Sequence, residues 1–187
     1  MNAQALAAAL VLAVGMSLAP AQAATETLQR DGSHDFDFEI GTWRTELTRL
    51  KHPLSGSHDW VRYSGRSVVS KVWGGSANLV ELDVQGPSGH LQALSLRLYD
   101  PRAHQWSLNY ANAAIGLAPP PTIGGFANNR GEFYDREEFA GRWILVRLVI
   151  TRPDPETARF EQAFSDDGGR TWETNWIATD TRVDGAA

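Results

Sequence analysis

The stretch QALSLRLY, from Gln92 to Tyr99, places leucines at positions 94, 96 and 98. In an extended chain its leucines share one face, whereas Ser95, Arg97 and Tyr99 share the other, which is the period-two pattern of a β-strand. Short segments with similar alternation, rich in β-branched and aromatic residues, continue on both sides and are separated by Gly, Pro and Asp turns. No long segment has a helical periodicity, so the sequence predicts an all-β protein.

About ten such segments follow one another from Trp43 to Thr181. Most of the links between them are a few residues long, and short links join antiparallel neighbours. We therefore predict a single antiparallel up-and-down β-barrel of about ten strands, with a β-sandwich as the main alternative. The exception is the segment 112–125, whose run of prolines disfavours regular structure, and we expect a long loop there, either a lid or a surface excursion.

The N-terminal sequence MNAQALAAALVLAVGMSLAPAQAA has an apolar core and ends in Ala-x-Ala at 21–23. This layout is typical of a cleaved signal peptide, and the apolar run is short for a membrane anchor, which is the alternative. The mature protein is then periplasmic or secreted, with no membrane association after cleavage. We predict a signal peptide over 1–23, a polar leader over 24–35, the barrel domain over 36–183 and a C-terminal tail over 184–187.

The composition restricts the function further. The 187 residues include no cysteine, which excludes disulfides, thiolate nucleophiles and thiolate metal sites. The formal net charge is −5 and there is no basic run, so we expect no nucleic-acid partner. The sequence has no Gly-x-Ser-x-Gly, no His-Glu-x-x-His and no phosphate-binding glycine loop, which argues against nucleophilic catalysis and phosphate binding.

The segment 34–37, His-Asp-Phe-Asp, offers one imidazole and two carboxylates, which is half of a metal site. No second histidine cluster with ligand spacing accompanies it, and we predict no metal site. We expect instead an N-terminal strap in which Phe36 and Phe38 plug one end of the barrel. His34 and Asp35 would then form local hydrogen bonds.

The stretch WILVRLVIT, from Trp143 to Thr151, is apolar on both faces except at Arg147. A strand of this kind is covered on both sides in a folded protein. We expect the cover to be the N-terminal segment, with a second subunit as the alternative. The protein is accordingly predicted to be a monomer or a homodimer.

The stretch FSDDGGRTWETNW, from Phe164 to Trp176, contains the pattern Ser-x-Asp-x-Gly-x-Thr-Trp, which resembles the Asp-box of sialidase-type β-propellers. A propeller needs several such boxes and a longer chain, and we find one copy. Asp-Asp-Gly-Gly between two predicted strands favours a hairpin turn. We therefore predict a structural turn between the last two strands.

Three stretches together resemble a family of secreted, poorly characterised bacterial domains with a calycin-like barrel: HDFDFEIGTWRTEL (34–47), LRLYDPRAHQWSLNY (96–110) and FEQAFSDDGGRTWETNWI (160–177). The resemblance covers most of the mature chain and implies the fold and a cavity. Gly-Thr-Trp at 41–43 also resembles the opening of lipocalins, fatty-acid-binding proteins and nitrobindins, in which the Trp seals one end beneath the ligand cavity.

Two further details come from these resemblances. Arg97 and Tyr99 have the spacing of the Arg-x-Tyr pair with which fatty-acid-binding barrels hold a carboxylate. Nitrobindins carry haem on a histidine near the C-terminus, but this chain has no histidine after His104. We therefore predict no cofactor.

We predict that the barrel binds a small, largely apolar or aromatic ligand. Arg147 and Glu161 are charged residues on otherwise apolar strands, so they form either a buried ion pair or an anion anchor and a general base. The candidate ligand-binding residues are Trp43, Arg97, Tyr99, Trp106, Tyr110, Arg147, Glu161, Gln162, Asn175 and Trp176.

Two alternative functions stay open on the sequence. The first is a cofactor-independent lyase, isomerase or hydratase, with Glu161, Tyr99 or His104 as its acid or base. An inward carboxylate or histidine beside an open cavity would favour it. The second is a structural or interaction module with a filled barrel, which the absence of a cavity would favour.

Overall fold

The computed structural model describes residues 30–183. The predicted signal peptide (1–23), the first half of the polar leader (24–35) and the C-terminal tail (184–187) lie outside these residues. The strands are β1 Gly41–Leu50, β2 Trp60–Val72, β3 Ala77–Gly86, β4 Gly89–Asp100, β5 Gln105–Asn112, β6 Gly116–Ala127, β7 Arg130–Phe139, β8 Arg142–Asp154, β9 Thr157–Ser165 and β10 Glu173–Arg182. Two short 3-10 turns, Asp37–Glu39 and Trp73–Gly75, complete the described structure, and neither is long and apolar enough to cross a membrane.

The strands form one closed antiparallel barrel. Each strand pairs with its neighbour in sequence, and β1 pairs with β10 from Trp43–Arg182 to Arg49–Trp176. Closure removes the exposed sheet edges, and the short links keep every neighbour antiparallel. The predicted all-β up-and-down barrel of about ten strands is therefore confirmed, and the sandwich is excluded.

The expected long loop over 112–125 is wrong, because most of this segment belongs to β6. The register with β5 shifts between the pairs Leu108–Thr122 and Tyr110–Ala118, so the prolines at 119–121 all lie opposite Asn109. Proline has no backbone N–H to give to a ladder. The run of prolines is tolerated here because it occupies a bulge rather than a regular part of the sheet.

The wall of the barrel has a seam between β6 and β7. Their ladder runs only from Ile123–Tyr134 to Ala127–Arg130. Beyond Tyr134, β7 continues to Phe139 and pairs with β8 alone within the described chain. Residues 135–139 consequently border an unpaired stretch of the wall.

The N-terminal segment closes one end of the barrel, as expected of the strap. Phe36 is 1% exposed and its ring meets the edges of the Trp106 and Phe126 rings at 5.0 Å each. Trp106 Nε1 donates a hydrogen bond to the Gly32 carbonyl (2.9 Å), and the Gly32 N–H donates to the Tyr99 hydroxyl (3.0 Å). Such aromatic packing excludes water from this end and fixes the strap across it.

The rest of the strap also fits that expectation. Phe38 is partly buried against the core. His34 Nδ1 bonds the Asp37 carboxylate at 3.2 Å, and Asp35 pairs with Arg30. These are local contacts, and within residues 30–183 no group of three or more His, Cys, Asp or Glu side chains is arranged to hold a metal ion.

The Asp-box forms a turn, and this turn covers the outer face of β8. The Asp167 carboxylate accepts hydrogen bonds from the Thr171 N–H (3.0 Å) and hydroxyl (2.7 Å) and from the Ser165 hydroxyl (2.8 Å), and these bonds hold the pKa of Asp167 below its ordinary value. The turn places the Trp172 ring 4.5 Å from the Arg147 guanidinium on β8. The expectation that the N-terminal segment covers the outside of this strand is therefore wrong, because that segment lies at the barrel end.

Candidate functional site

The barrel encloses a cavity of about 490 Å³. Its floor lies against the closed end at Trp43, and its walls reach the opposite end of the strands, where Ile115 is 62% exposed. Alternate residues of each strand point inward, and most of those that line the cavity are apolar. The apolar lining includes Leu47, Val69, Val80, Leu82, Ala93, Leu108, Phe139, Val146, Leu148, Ile150, Phe160, Phe164 and Ala178.

A buried ion pair lies in the floor. Arg97 Nη1 donates to Glu39 Oε2 at 2.6 Å, and the two side chains are 8% and 9% exposed. The Arg97 guanidinium also lies 4.2 Å from the centre of the Phe36 ring in the strap. Glu39 therefore neutralises Arg97, and the pair fastens the strap to β4.

A second polar group, Asp180 with Thr45 and Ser67, also faces the cavity. The Thr45 hydroxyl donates to the Asp180 carboxylate and is 2.7 Å from the Ser67 hydroxyl. Burial raises the pKa of Asp180 to about 6, although the hydrogen bond from Thr45 opposes this shift. Asp180 can consequently hold or release a proton near neutral pH.

Two more carboxyl groups face the cavity from β7. Asp135 and Glu137 are two residues apart, so they lie on the same inward face as Phe133 and Phe139. Asp135 Oδ1 is buried and has no hydrogen-bond partner within the described residues. Burial raises the pKa of Asp135 to about 7, the charge of Glu137 adds to that shift, and burial also raises the pKa of Glu137.

Aromatic and amide side chains line the opposite part of the wall. The Phe160 and Trp176 rings are 6.3 Å apart in an edge-to-face arrangement, and Arg49 lies 4.4 Å above Trp176. Gln162 Nε2 donates to Asn175 Oδ1 at 2.9 Å. A β-bulge between Thr174 and Trp176 allows Asn175 and Trp176 to lie opposite Gln162 together.

The structure brings about half of the predicted binding residues into the cavity. Five of them line it: Trp43, Arg97, Tyr110, Gln162 and Trp176. Asn175 is 3% exposed and reaches the site only through its bond to Gln162.

Tyr99, Trp106 and His104 belong to the closed end instead. Trp106 packs on the strap residue Phe36, and the Tyr99 hydroxyl holds the strap backbone. His104 Nδ1 lies 3.4 Å from that same hydroxyl. The positions of Tyr99 and Trp106 correct their assignment as cavity contacts, because neither residue lines the cavity and both contact the strap. Likewise, His104 and Tyr99 are not placed to exchange a proton with a molecule in it.

The placements of Arg147 and Glu161 inside the barrel are wrong. Their neighbours Val146, Leu148 and Gln162 line the cavity, so residues of the other parity face outward. Glu161 accepts a hydrogen bond from Arg159 Nε at 2.7 Å, and the Arg147 guanidinium stacks on Trp172. The predicted Arg147–Glu161 ion pair therefore does not form.

The inward acids Asp135, Glu137 and Asp180 are not among the residues predicted from the sequence. A signal was present in FYDREEF, residues 133–139, where Asp135 and Glu137 alternate in phase with two phenylalanines. Asp180 carries no comparable signal, since it stands among small polar residues. Glu39 and its bond to Arg97 depend on the path of the strap.

The fold and the site define a class of protein: a closed antiparallel barrel with one plugged end and an internal cavity. No model of a known protein family matches this chain, and no curated protein matches it either. Among solved structures, the S-type phycobiliprotein lyase CPES from Guillardia theta is similar over 84% of this chain and 95% of its own, with a TM-score of 0.54 and 10% sequence identity. At that identity the likeness shows the fold alone.

Two other similar structures are binders of DFHBI. One is EF1p2_mFAP2b (TM-score 0.45, 10% identity, 81% of this chain and 99% of that chain). The other is the redesigned β-barrel mFAP0 (TM-score 0.44, 13% identity, 78% and 99%). The bacterial family named from the sequence stays a prediction.

Proposed function

We propose that this chain is an exported single-domain barrel that binds a small, largely apolar or aromatic molecule inside its cavity. The observation that carries the proposal is the cavity of about 490 Å³, a volume in the range of known small-molecule sites. Its walls are mainly apolar, and Tyr110, Phe160 and Trp176 supply aromatic surface. A few polar groups among such walls are what fixes the orientation of a ligand.

The export part of the proposal rests on the sequence over 1–23. A periplasmic or secreted location is proposed from the same residues. A monomer or a homodimer is proposed from the apolar strand over 143–151. The alternative of a filled barrel is disfavoured by the cavity, since side chains occupy the closed end but leave the volume above Trp43 open.

Recovery of a bound molecule would test the proposal directly. We expect native mass spectrometry of the protein from the periplasm of its own host to show a small-molecule adduct. Ser95→Phe, on the inward face of β4, should remove the adduct by filling the cavity. Leu96→Phe is the matched control, because Leu96 is the next residue on the same strand and is 37% exposed. Repeated absence of an adduct from the wild type, or its survival in Ser95→Phe, would contradict the proposal.

An enzyme acting in the same cavity is the second candidate, and the inward carboxyl groups favour it. Asp135 and Asp180 both face the cavity with pKa values near neutrality, about 7 and about 6, which suits general acid–base catalysis. They replace Glu161, Tyr99 and His104 as acid–base candidates for a lyase, isomerase or hydratase. Once the bound molecule is identified, Asp180→Asn and Asp135→Asn should each be assayed for turnover and binding. Retention of full turnover by both variants would exclude this candidate.

A further inference from the structure

We propose that the ligand carries a cationic nitrogen, and that this group binds between Asp135 and Glu137 beside the seam between β6 and β7. This inference rests on the proposed function, since it describes the chemistry of the molecule in the same cavity. It reverses the sequence-based expectation of an arginine that anchors an anionic ligand.

The charges of the cavity point in this direction. Arg97 is already neutralised by Glu39, so it offers little attraction to an anion. Arg49 and Arg159 also line the cavity. Arg159 pairs with Glu161 at 2.7 Å, and Arg49 lies over the Trp176 ring, on the far side of β8 and β9 from β7. Asp135 and Glu137, by contrast, form no ion pair within residues 30–183.

One oxygen of the Asp135 carboxylate, Oδ1, has no donor among the described residues. In register, Asp135 lies opposite Val146 on β8, and Glu137 lies opposite Ile144. On the side of β6, Pro120 and Thr122 line the cavity beyond the last β6–β7 pair, Ile123–Tyr134. Pro120 has no N–H, and the Thr122 hydroxyl donates to the Leu108 carbonyl at 3.4 Å. A buried carboxylate oxygen without a donor is costly, and a positively charged donor from a ligand beside the same carboxyl group would offset this cost.

The seam gives such a ligand a place to lie. Residues 135–139 of β7 have no ladder with β6, so backbone hydrogen bonds do not close the wall beside the two carboxyl groups. Phe139 follows the two carboxyl groups on the same face of β7, and Tyr110 also lines the cavity, so both offer aromatic contact to the apolar part of the molecule. The expected ligand is therefore an apolar or aromatic amine rather than a fatty acid.

A set of three probes with one ring and different charge tests this inference. The probes are 1-naphthylmethylamine, 1-naphthalenemethanol and 1-naphthoic acid, which are cationic, neutral and anionic at neutral pH. Binding is measured by isothermal titration calorimetry and by quenching of tryptophan fluorescence. We expect the amine to bind about tenfold or more tightly than the alcohol, which is the effect of one charge-assisted hydrogen bond, and the acid to bind most weakly.

The variants assign the preference to the two carboxyl groups. Asp135→Asn combined with Glu137→Gln should bring the amine and the alcohol to equal affinity while the alcohol still binds. Glu138→Gln is the matched control, since Glu138 is the exposed neighbour on the outer face of β7. Binding of the amine should also release protons from the carboxyl pair, and this release is measured as a dependence of the binding enthalpy on the ionisation enthalpy of the buffer.

The outcomes separate this inference from the proposed function. If the alcohol binds in the cavity but the amine has no advantage, or if the acid binds most tightly, the cation site is wrong and the binding function stands. An advantage for the amine that persists in the double variant also overturns the cation site. Both proposals fail if none of the three probes binds and native mass spectrometry shows no difference in adduct between Ser95→Phe and the wild type.

Discussion

Asp135 has a clear consequence for stability at the scale of one residue. Because its pKa is raised to about 7 in the folded state, the folded protein holds this proton more tightly than the unfolded chain does. Stability is therefore lost as the pH rises from about 4 to about 7 and changes little above that range for this group. The loss amounts to about 1–2 kcal/mol after allowance for partial solvent exposure.

The substitution Asp135→Asn tests this effect. The variant should have a flatter dependence of the free energy of unfolding on pH between about 4 and 7, and it should be more stable than the wild type at pH 8. Urea denaturation at a series of pH values measures both quantities. Glu138→Gln, on the outer face, should leave the slope of the wild type unchanged. An equal slope in Asp135→Asn and wild type would show that the Asp135 carboxyl is well solvated in the folded protein.

Single residues also show what alternation can and cannot predict. The pattern of QALSLRLY correctly separates its leucines from Arg97, but it does not say which face is inside. The structure turns Leu94 and Leu96 outward, 43% and 37% exposed, and buries Arg97 at 6%. This inversion is stable because Glu39 arrives from the strap to pair with Arg97, a contact that no local pattern encodes.

At the scale of one element, β8 shows a second limit of sequence reasoning. A strand that is apolar on both faces gives no parity signal, so Arg147 was placed inside when it lies outside. On β9 a parity signal was present, because Phe160 and Phe164 alternate with Arg159 and Glu161, and it places Glu161 on the outer face. The bulge before Trp176 shifts the parity of β10 as well, and bulges depend on pairing partners rather than on the strand itself.

The turn that covers β8 leads to a prediction about that element. Trp172 packs on the Arg147 guanidinium at 4.5 Å and meets the Tyr134 ring at 6.2 Å, so Trp172→Ala removes both contacts and uncovers the strand. We expect a loss of about 2 kcal/mol in the free energy of unfolding.

Chemical denaturation of two variants side by side would measure this loss. The matched control is Trp143→Ala, on the same outer surface, because Trp143 is 60% exposed and, among residues 30–183, stacks only on Arg136. The control should lose less than about 1 kcal/mol. Equal losses in the two variants would mean that the turn does not stabilise β8.

At the scale of the whole molecule, the number of segments and the short links were enough to predict a closed barrel. Short antiparallel links leave few ways to arrange about ten strands, which is why the topology followed from the sequence. The division of the interior into a plugged end and a cavity was only partly predictable. Phe36 and Trp43 were expected near the plug, whereas Tyr99 and Trp106 were assigned to the cavity, because alternation reports the face of a strand and not the height along the barrel.

This division predicts that the two ends of the barrel differ in their contribution to stability. Phe36 is 1% exposed among Trp106, Phe126 and Phe133, so Phe36→Ala should cost about 3–5 kcal/mol in the free energy of unfolding. Ile115 lines the other end of the cavity but is 62% exposed, and Ile115→Ala should change stability by less than about 0.5 kcal/mol. Urea unfolding of both variants at one pH measures the difference. A small loss in Phe36→Ala would contradict this prediction, because it would show that the packing of the strap contributes little to the stability of the barrel.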